Sequence, residues 1–166
     1  QKLERIKQYQ ELNDIRLFNA TYLGNHYEFL LLPGTFAFEV IEISQGNGGV
    51  WQDFESAFSR RKYASSVTGA YYANRLALTE YLEKIKHQAT CLVFREVRPE
   101  YYAPCGVGIL RETSREAFAS KHETFNTKEE AFKQMQSRFR LPVQKFIEKS
   151  KILQVYNIQK KLSAFF

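Results

Sequence analysis

Apolar and polar positions along this 166-residue chain change period several times, and each change marks an element. Residues 1–12 are polar and charged and read as a helix. Residues 14–22 and 26–32 are apolar runs rich in β-formers, separated by Leu23-Gly24-Asn25. That is hairpin spacing, with Gly24 and Asn25 able to take positive φ. Pro33-Gly34 ends the second run, and residues 36–43 form a further strand that carries Glu39 and Glu42. Residues 45–49 are a loop by their glycines and asparagine, after which Trp51, Phe54 and Phe58 recur at helical spacing and are expected in the core.

The longest helix is expected over residues 68–87, with Ala70, Ala73, Ala77, Tyr81 and Ile85 along one flank, small enough to sit close to a sheet. Residues 89–97 and 105–112 read as two strands joined by a proline-rich loop. Thr113 with Glu116, and Thr127 with Glu130, have capping-box spacing, so a helix should follow each. Pro142 suits the first turn of a last helix over residues 141–153, with a linker at 154–158. The fold class expected is therefore α+β: a mainly antiparallel sheet packed against helices, then a helical C-terminal arm and a short docking tail. Residues 1–153 form one domain in this reading, and 154–166 the linker and tail.

Length and a 44% hydrophobic content suit one domain with an adequate core. No apolar run approaches a membrane span of about 18 residues, and residues 1–12 are unlike a signal peptide. The expected location is cytoplasmic. A start at Gln1 suggests a fragment. Cys91 and Cys105 lack metal-type spacing and read as reduced, packed thiols.

The formal net charge of +6 is placed unevenly, because residues 1–127 balance while residues 128–166 carry nine basic side chains against three acidic. Such an arm could contact DNA phosphates or speed approach to an acidic surface; its plainer reading is a solvated helix face.

The last eight residues place Gln159, Leu162, Phe165 and Phe166 at relative positions 0, 3, 6 and 7. Two terminal phenylalanines left in water forgo roughly 1.5–3 kcal/mol of burial each. In a 3₁₀ turn, residues three apart eclipse, so Leu162 and Phe165 would share a face while Gln159 sets register by hydrogen bonds. The arrangement resembles the PCNA-interacting peptide, the PIP box, which implies docking on the sliding clamp through these four residues. The alternative is a tail that folds back to patch its own core.

A second constellation is polar. Arg95-Glu96 and Arg111-Glu112 would lie at neighbouring strand ends, with Arg98, Glu100, Tyr101 and Tyr71 or Tyr72 nearby. Carboxylates beside guanidiniums bind phosphates or position a metal and water, and equally form ordinary cross-strand pairs. They match no nuclease, hydrolase or phosphate-loop pattern, and His26, His87 and His122 are scattered, so no catalytic residue is assigned.

With the elements placed, the segments Leu30-Leu31-Leu32-Pro33-Gly34 with Phe38-Glu39, Gly69-Ala70-Tyr71-Tyr72-Ala73-Asn74-Arg75-Leu76-Ala77 and Phe94-Arg95-Glu96-Val97-Arg98-Pro99-Glu100-Tyr101-Tyr102 resemble the C-terminal region of archaeal Nre proteins. Arg111 to Ala117, Ser137 to Pro142 and the closing motif are similar too, and the likeness covers most of residues 30–166. It implies a part in archaeal DNA-damage repair with attachment to the clamp. The family's N-terminal part, with a four-cysteine zinc motif, is expected to be absent here, because two cysteines cannot supply it. No metal or cofactor is assigned. Two competing readings are a DNA- or nucleotide-processing enzyme at the Arg/Glu strand ends and a basic, non-enzymatic DNA-binding module.

Overall fold

The computed structural model describes residues 1–56, 68–101 and 106–165, and for residues 68, 159–161 and 163 the backbone alone. Six strands form one sheet in the order β5-β4-β7-β3-β2-β8, built from β2 (Ile15–Tyr22), β3 (Asn25–Leu32), β4 (Ala37–Ser44), β5 (Val50–Glu55), β7 (Thr90–Val97) and β8 (Glu123–Phe125). Every pairing is antiparallel except β4 with β7. A small parallel ladder joins β1 (Gln10–Glu11) to β6 (His87–Gln88). All eight residues of β3 are buried, which accounts for its unbroken Phe-Leu-Leu-Leu run.

Helices cover both faces. On one side α1 (Lys2–Ile6), α2 (Thr68–Ile85) and α3 (Val107–Ala119) enclose a core around Phe18, Phe29, Phe38, Tyr71, Leu78 and Phe118. Ala70, Ala73 and Ala77 are buried, as the small-residue flank of α2 predicts. On the other side α4 (Lys128–Gln136), α5 (Gln144–Lys149) and α6 (Lys151–Ser163) enclose Leu17, Leu30, Phe94, Phe132, Phe146 and Leu153.

The β2–β3 hairpin turns on Leu23 (φ 46°) and Gly24 (φ 80°), one position earlier than expected, while Asn25 is buried in β3. A Cβ at Gly24 would fall 2.5 Å from the Tyr101 backbone nitrogen, so both the turn and the close loop require glycine there. At α4 the expected cap is present: Thr127 accepts from the Glu130 amide at 3.2 Å, while Glu130 reaches back to the Asn126 amide, one residue before the cap, at 3.2 Å.

Several expectations are corrected. The first helix stops at Ile6, because the chain turns to pair β1 with β6. Trp51 and Phe54 lie on edge strand β5, where three-residue spacing puts them on opposite faces, and they are 41% and 37% exposed; Phe58 is outside the described residues. Residues 107–112, expected as strand, begin helix α3, whose buried Leu110, Thr113, Ser114, Ala117 and Phe118 follow a helical period. Thr113 is thus inside the helix and donates to the Ile109 carbonyl at 2.9 Å instead of capping. The last helix is two helices broken at Ser150, and residues 154–158 are helical rather than a linker. Cys91 is buried and free, and burial pushes its thiol pKa up; Cys105 is outside the described residues.

Candidate functional site

Strand alternation places three glutamates, Glu28 on β3, Glu39 on β4 and Glu96 on β7, on the face covered by α4–α6, and all three are fully buried. A buried carboxylate needs donors, and each takes them from the C-terminal arm. Arg138 grips Glu28 with Nε at 3.0 and 3.1 Å and a terminal nitrogen at 2.7 Å, while His26 Nε2 lies 2.7 Å from the same carboxylate. Glu96 accepts from the Arg140 and Leu141 amides at 2.9 and 2.7 Å and from Arg98 Nε at 2.8 Å. Arg98 also donates to the Arg138 carbonyl at 2.9 Å.

Glu39 holds the start of α6. It accepts from Ser150 Oγ at 2.6 Å and from the Lys151 and Ile152 amides at 2.9 and 3.2 Å, while Ser150 Oγ accepts from the Leu153 amide at 3.1 Å. Three otherwise orphaned amides of a helix N-terminus are thereby satisfied. Burial raises the Glu39 pKa, and these hydrogen bonds oppose the rise. Ile152, Leu153 and Tyr156 then bury the inner face of α6, and Tyr156 donates to the Pro33 carbonyl at 3.0 Å. Several of the excess basic groups are spoken for: Arg138 also meets Glu123 at 2.8 Å, and Arg140 meets Glu100 at 2.6 Å. Lys145, Lys149 and Lys151 are exposed.

From this anchored start α6 runs straight into the terminal motif. Leu162 is 55% exposed and Phe165 85% exposed, so Phe165 does not patch the core as the fold-back alternative requires. The helix closes in a 3₁₀-type turn, the Phe165 amide donating to the Leu162 carbonyl at 3.1 Å. The Gln159 side chain and all of Phe166 lie outside the described residues. Beside the base of α6, a cleft of about 480 Å³ opens between it and the β4–β5 edge, lined by Ala37, Phe54, Thr90, Lys151 and Val155.

The Arg/Glu constellation does not assemble as expected. Arg95 and Glu96 point to opposite faces of the sheet, and Arg111 and Glu112 are on α3, their side chains 43% and 66% exposed. Arg95 belongs instead to a buried cluster beneath α2. Its Nε donates to Asn25 Oδ1 at 2.9 Å, a terminal nitrogen bonds the same oxygen, and another meets Glu42 at 3.1 Å. The guanidinium also lies 5.6 Å from the ring centroids of Tyr27 and Tyr101. Burial pushes the Tyr27 pKa up to about 12 against the pull of Arg95, and burial likewise raises Glu42. Nearby, Glu55 accepts from Tyr71 at 3.2 Å and Arg75 at 2.9 Å, and Asn74 donates to Ser114 at 2.7 Å. The sequence signal for these residues was present in the isolated acidic positions within apolar strands, but their partners lie far away in the chain. Among the described residues, no group of three His, Cys, Asp or Glu side chains is placed to hold a metal, and no helix is long and apolar enough to cross a membrane.

A mostly antiparallel sheet sandwiched by helices, with its C-terminal arm latched by buried carboxylates, makes this an α+β protein. The model of the archaeal Nre C-terminal region matches residues 55–165 and that of the archaeal Nre N-terminal region matches residues 1–52, so the chain belongs to the archaeal Nre family. This corrects the expectation that the N-terminal part is absent: residues 1–52 match that region too, so the likeness is not confined to the C-terminal one. The two matches meet inside β5, and β7 from the second lies between β3 and β4 from the first, so both contribute to one sheet. The chain is 38% identical over 130 residues to the DNA repair protein NreA of Archaeoglobus fulgidus, covering 74% of this chain and 33% of that protein. It is 35% identical over 161 residues to the DNA repair protein NreB of the same organism, covering 92% and 41%. To the DNA repair protein NreA of Haloferax volcanii it is 32% identical over 125 residues, covering 69% and 30%. The chain thus spans about 30–41% of the length of these curated relatives. No solved structure matches it.

Proposed function

We propose that this chain is the part of a DNA-repair factor that anchors it to the sliding clamp, with Gln159, Leu162, Phe165 and Phe166 as the docking residues. The repair role rests on the names of the relatives. The docking role rests on one observation: Leu162 and Phe165, three positions apart in a motif that reads Gln-x-x-Leu-x-x-Phe-Phe, stand out in solvent at the end of a helix fastened to the body. Solvent-exposed large apolar side chains of this kind are suited to a partner's pocket. A short motif of this size is expected to bind in the micromolar range, about −8 kcal/mol. Exposed Lys145, Lys149 and Lys151 leave the arm basic, which suits phosphate contact as a subsidiary role.

The test is calorimetric titration of the chain, and of the same chain ending at Ile158, into the sliding clamp of its source organism. Binding by the full chain alone supports the anchor; equal binding by both, or by neither, removes it.

A further inference from the structure

The outer face of α6 carries more apolar surface than the terminal motif accounts for. Val155, Ile158, Leu162 and Phe165 are 54%, 58%, 55% and 85% exposed. Their spacing of three, four and three is that of a helical seam, and the first three fall within an arc of about 60° on an ideal helix. The buried face, Ile152, Leu153 and Tyr156, lies on roughly the opposite side. Two residues of the seam, Leu162 and Phe165, belong to the docking motif; two, Val155 and Ile158, lie upstream of it in unbroken helix.

We infer that the clamp contact is longer than the motif and includes Ile158 and Val155, read as helix-in-groove anchors. This rests on the docking role proposed above. Continuity carries it: a partner surface that seats Leu162 meets Ile158 on the same side of the same helix one turn earlier, and Val155 next, about 10 Å from Leu162 along the axis. The seam is bordered in sequence by Lys151, Lys160 and Lys161, which suits an acidic rim. Because the other side of α6 is fixed to the sheet through Glu39, Ile152, Leu153 and Tyr156, docking along the seam holds the body in one orientation on the clamp rather than on a tether.

The experiment compares the parent chain, Val155→Gln/Ile158→Gln and Phe165→Ala/Phe166→Ala by calorimetry against the clamp, with melting temperature and sedimentation velocity measured on each protein alone. Glutamine keeps helix propensity at exposed positions, so the first variant should melt like the parent. The inference expects that variant to bind about tenfold or more weakly with the motif intact. Parent-like affinity for Val155→Gln/Ile158→Gln, with Phe165→Ala/Phe166→Ala impaired, overturns the longer contact and leaves the motif standing. No clamp binding by the parent sinks the docking role itself. A parent dimer that the seam variant dissolves assigns the seam to a second copy of the chain and overturns the inference.

Discussion

Glu39 and Ser150, 111 positions apart, meet at 2.6 Å where a strand of the sheet receives the last helix. The contact makes the helix that carries the exposed seam an extension of the sheet. Removing the carboxylate leaves a buried hydroxyl and two amides without acceptors, each costing about 1–3 kcal/mol. Glu39→Ala should therefore destabilise the chain by on the order of 3 kcal/mol or more, read as a shift in urea midpoint. A midpoint within error of the parent would show that this cap does not hold α6.

Arg138 and Glu28 test the same latch in a different way. Glu28 is fully buried while Arg138 remains 22% exposed. Arg138→Met leaves the buried Glu28 carboxylate with His26 as its remaining neighbour, for which up to about 3–5 kcal/mol is expected. Glu28→Gln/Arg138→Met removes both charges and should recover a large part of that loss. Additive losses in this cycle, measured by denaturant unfolding, would mean that the two side chains do not act as a pair.

The legible part of the fold was the part encoded locally. The β2–β3 hairpin, the α2 stripe of Ala70, Ala73 and Ala77 and the Thr127–Glu130 box follow from neighbours within a few positions. Helix α3 was missed because Gly106, Val107 and Gly108 weaken helical preference at its start, while the buried positions Leu110, Ser114 and Ala117 set its period one turn later. The break at Ser150 and the helical run beyond it depend on Glu39, and no sequence window spans that distance. The same holds for the Arg95 cluster: Tyr27, Glu42 and Arg95 are neighbours only through strand pairing, whereas Arg111 and Glu112, expected beside Arg95 and Glu96, lie on helix α3.

His122 gives the acid side of the stability curve a local cause. Its ring lies 5.3 Å from that of Phe18. Burial lowers its pKa from the ordinary 6.5, with Arg16 and Lys121 acting in the same direction and Asp14 opposing. A histidine whose folded pKa is depressed binds its proton more readily when unfolded. Its stabilising contribution is complete above the ordinary value and is lost as pH falls from there through the folded pKa. His122→Gln should flatten the decline in melting temperature between about pH 7 and 5 relative to the parent. Parallel curves for the two proteins would remove His122 as the cause.

Phe165 separates binding from folding. A side chain 85% exposed contributes little to the fold, so Phe165→Ala/Phe166→Ala should leave unfolding free energy within about 0.5 kcal/mol of the parent. Against the clamp the same change should cost on the order of 3 kcal/mol, since buried aromatic anchors dominate small interfaces. The fold-back arrangement predicts the reverse: a lower melting temperature and unchanged clamp affinity. Measuring both quantities on one protein pair discriminates between the two, because a side chain that patches its own core must be felt in unfolding. If the variant keeps both its stability and its affinity, the terminal aromatics are neither anchor nor patch, and the docking role passes to the upstream seam or fails.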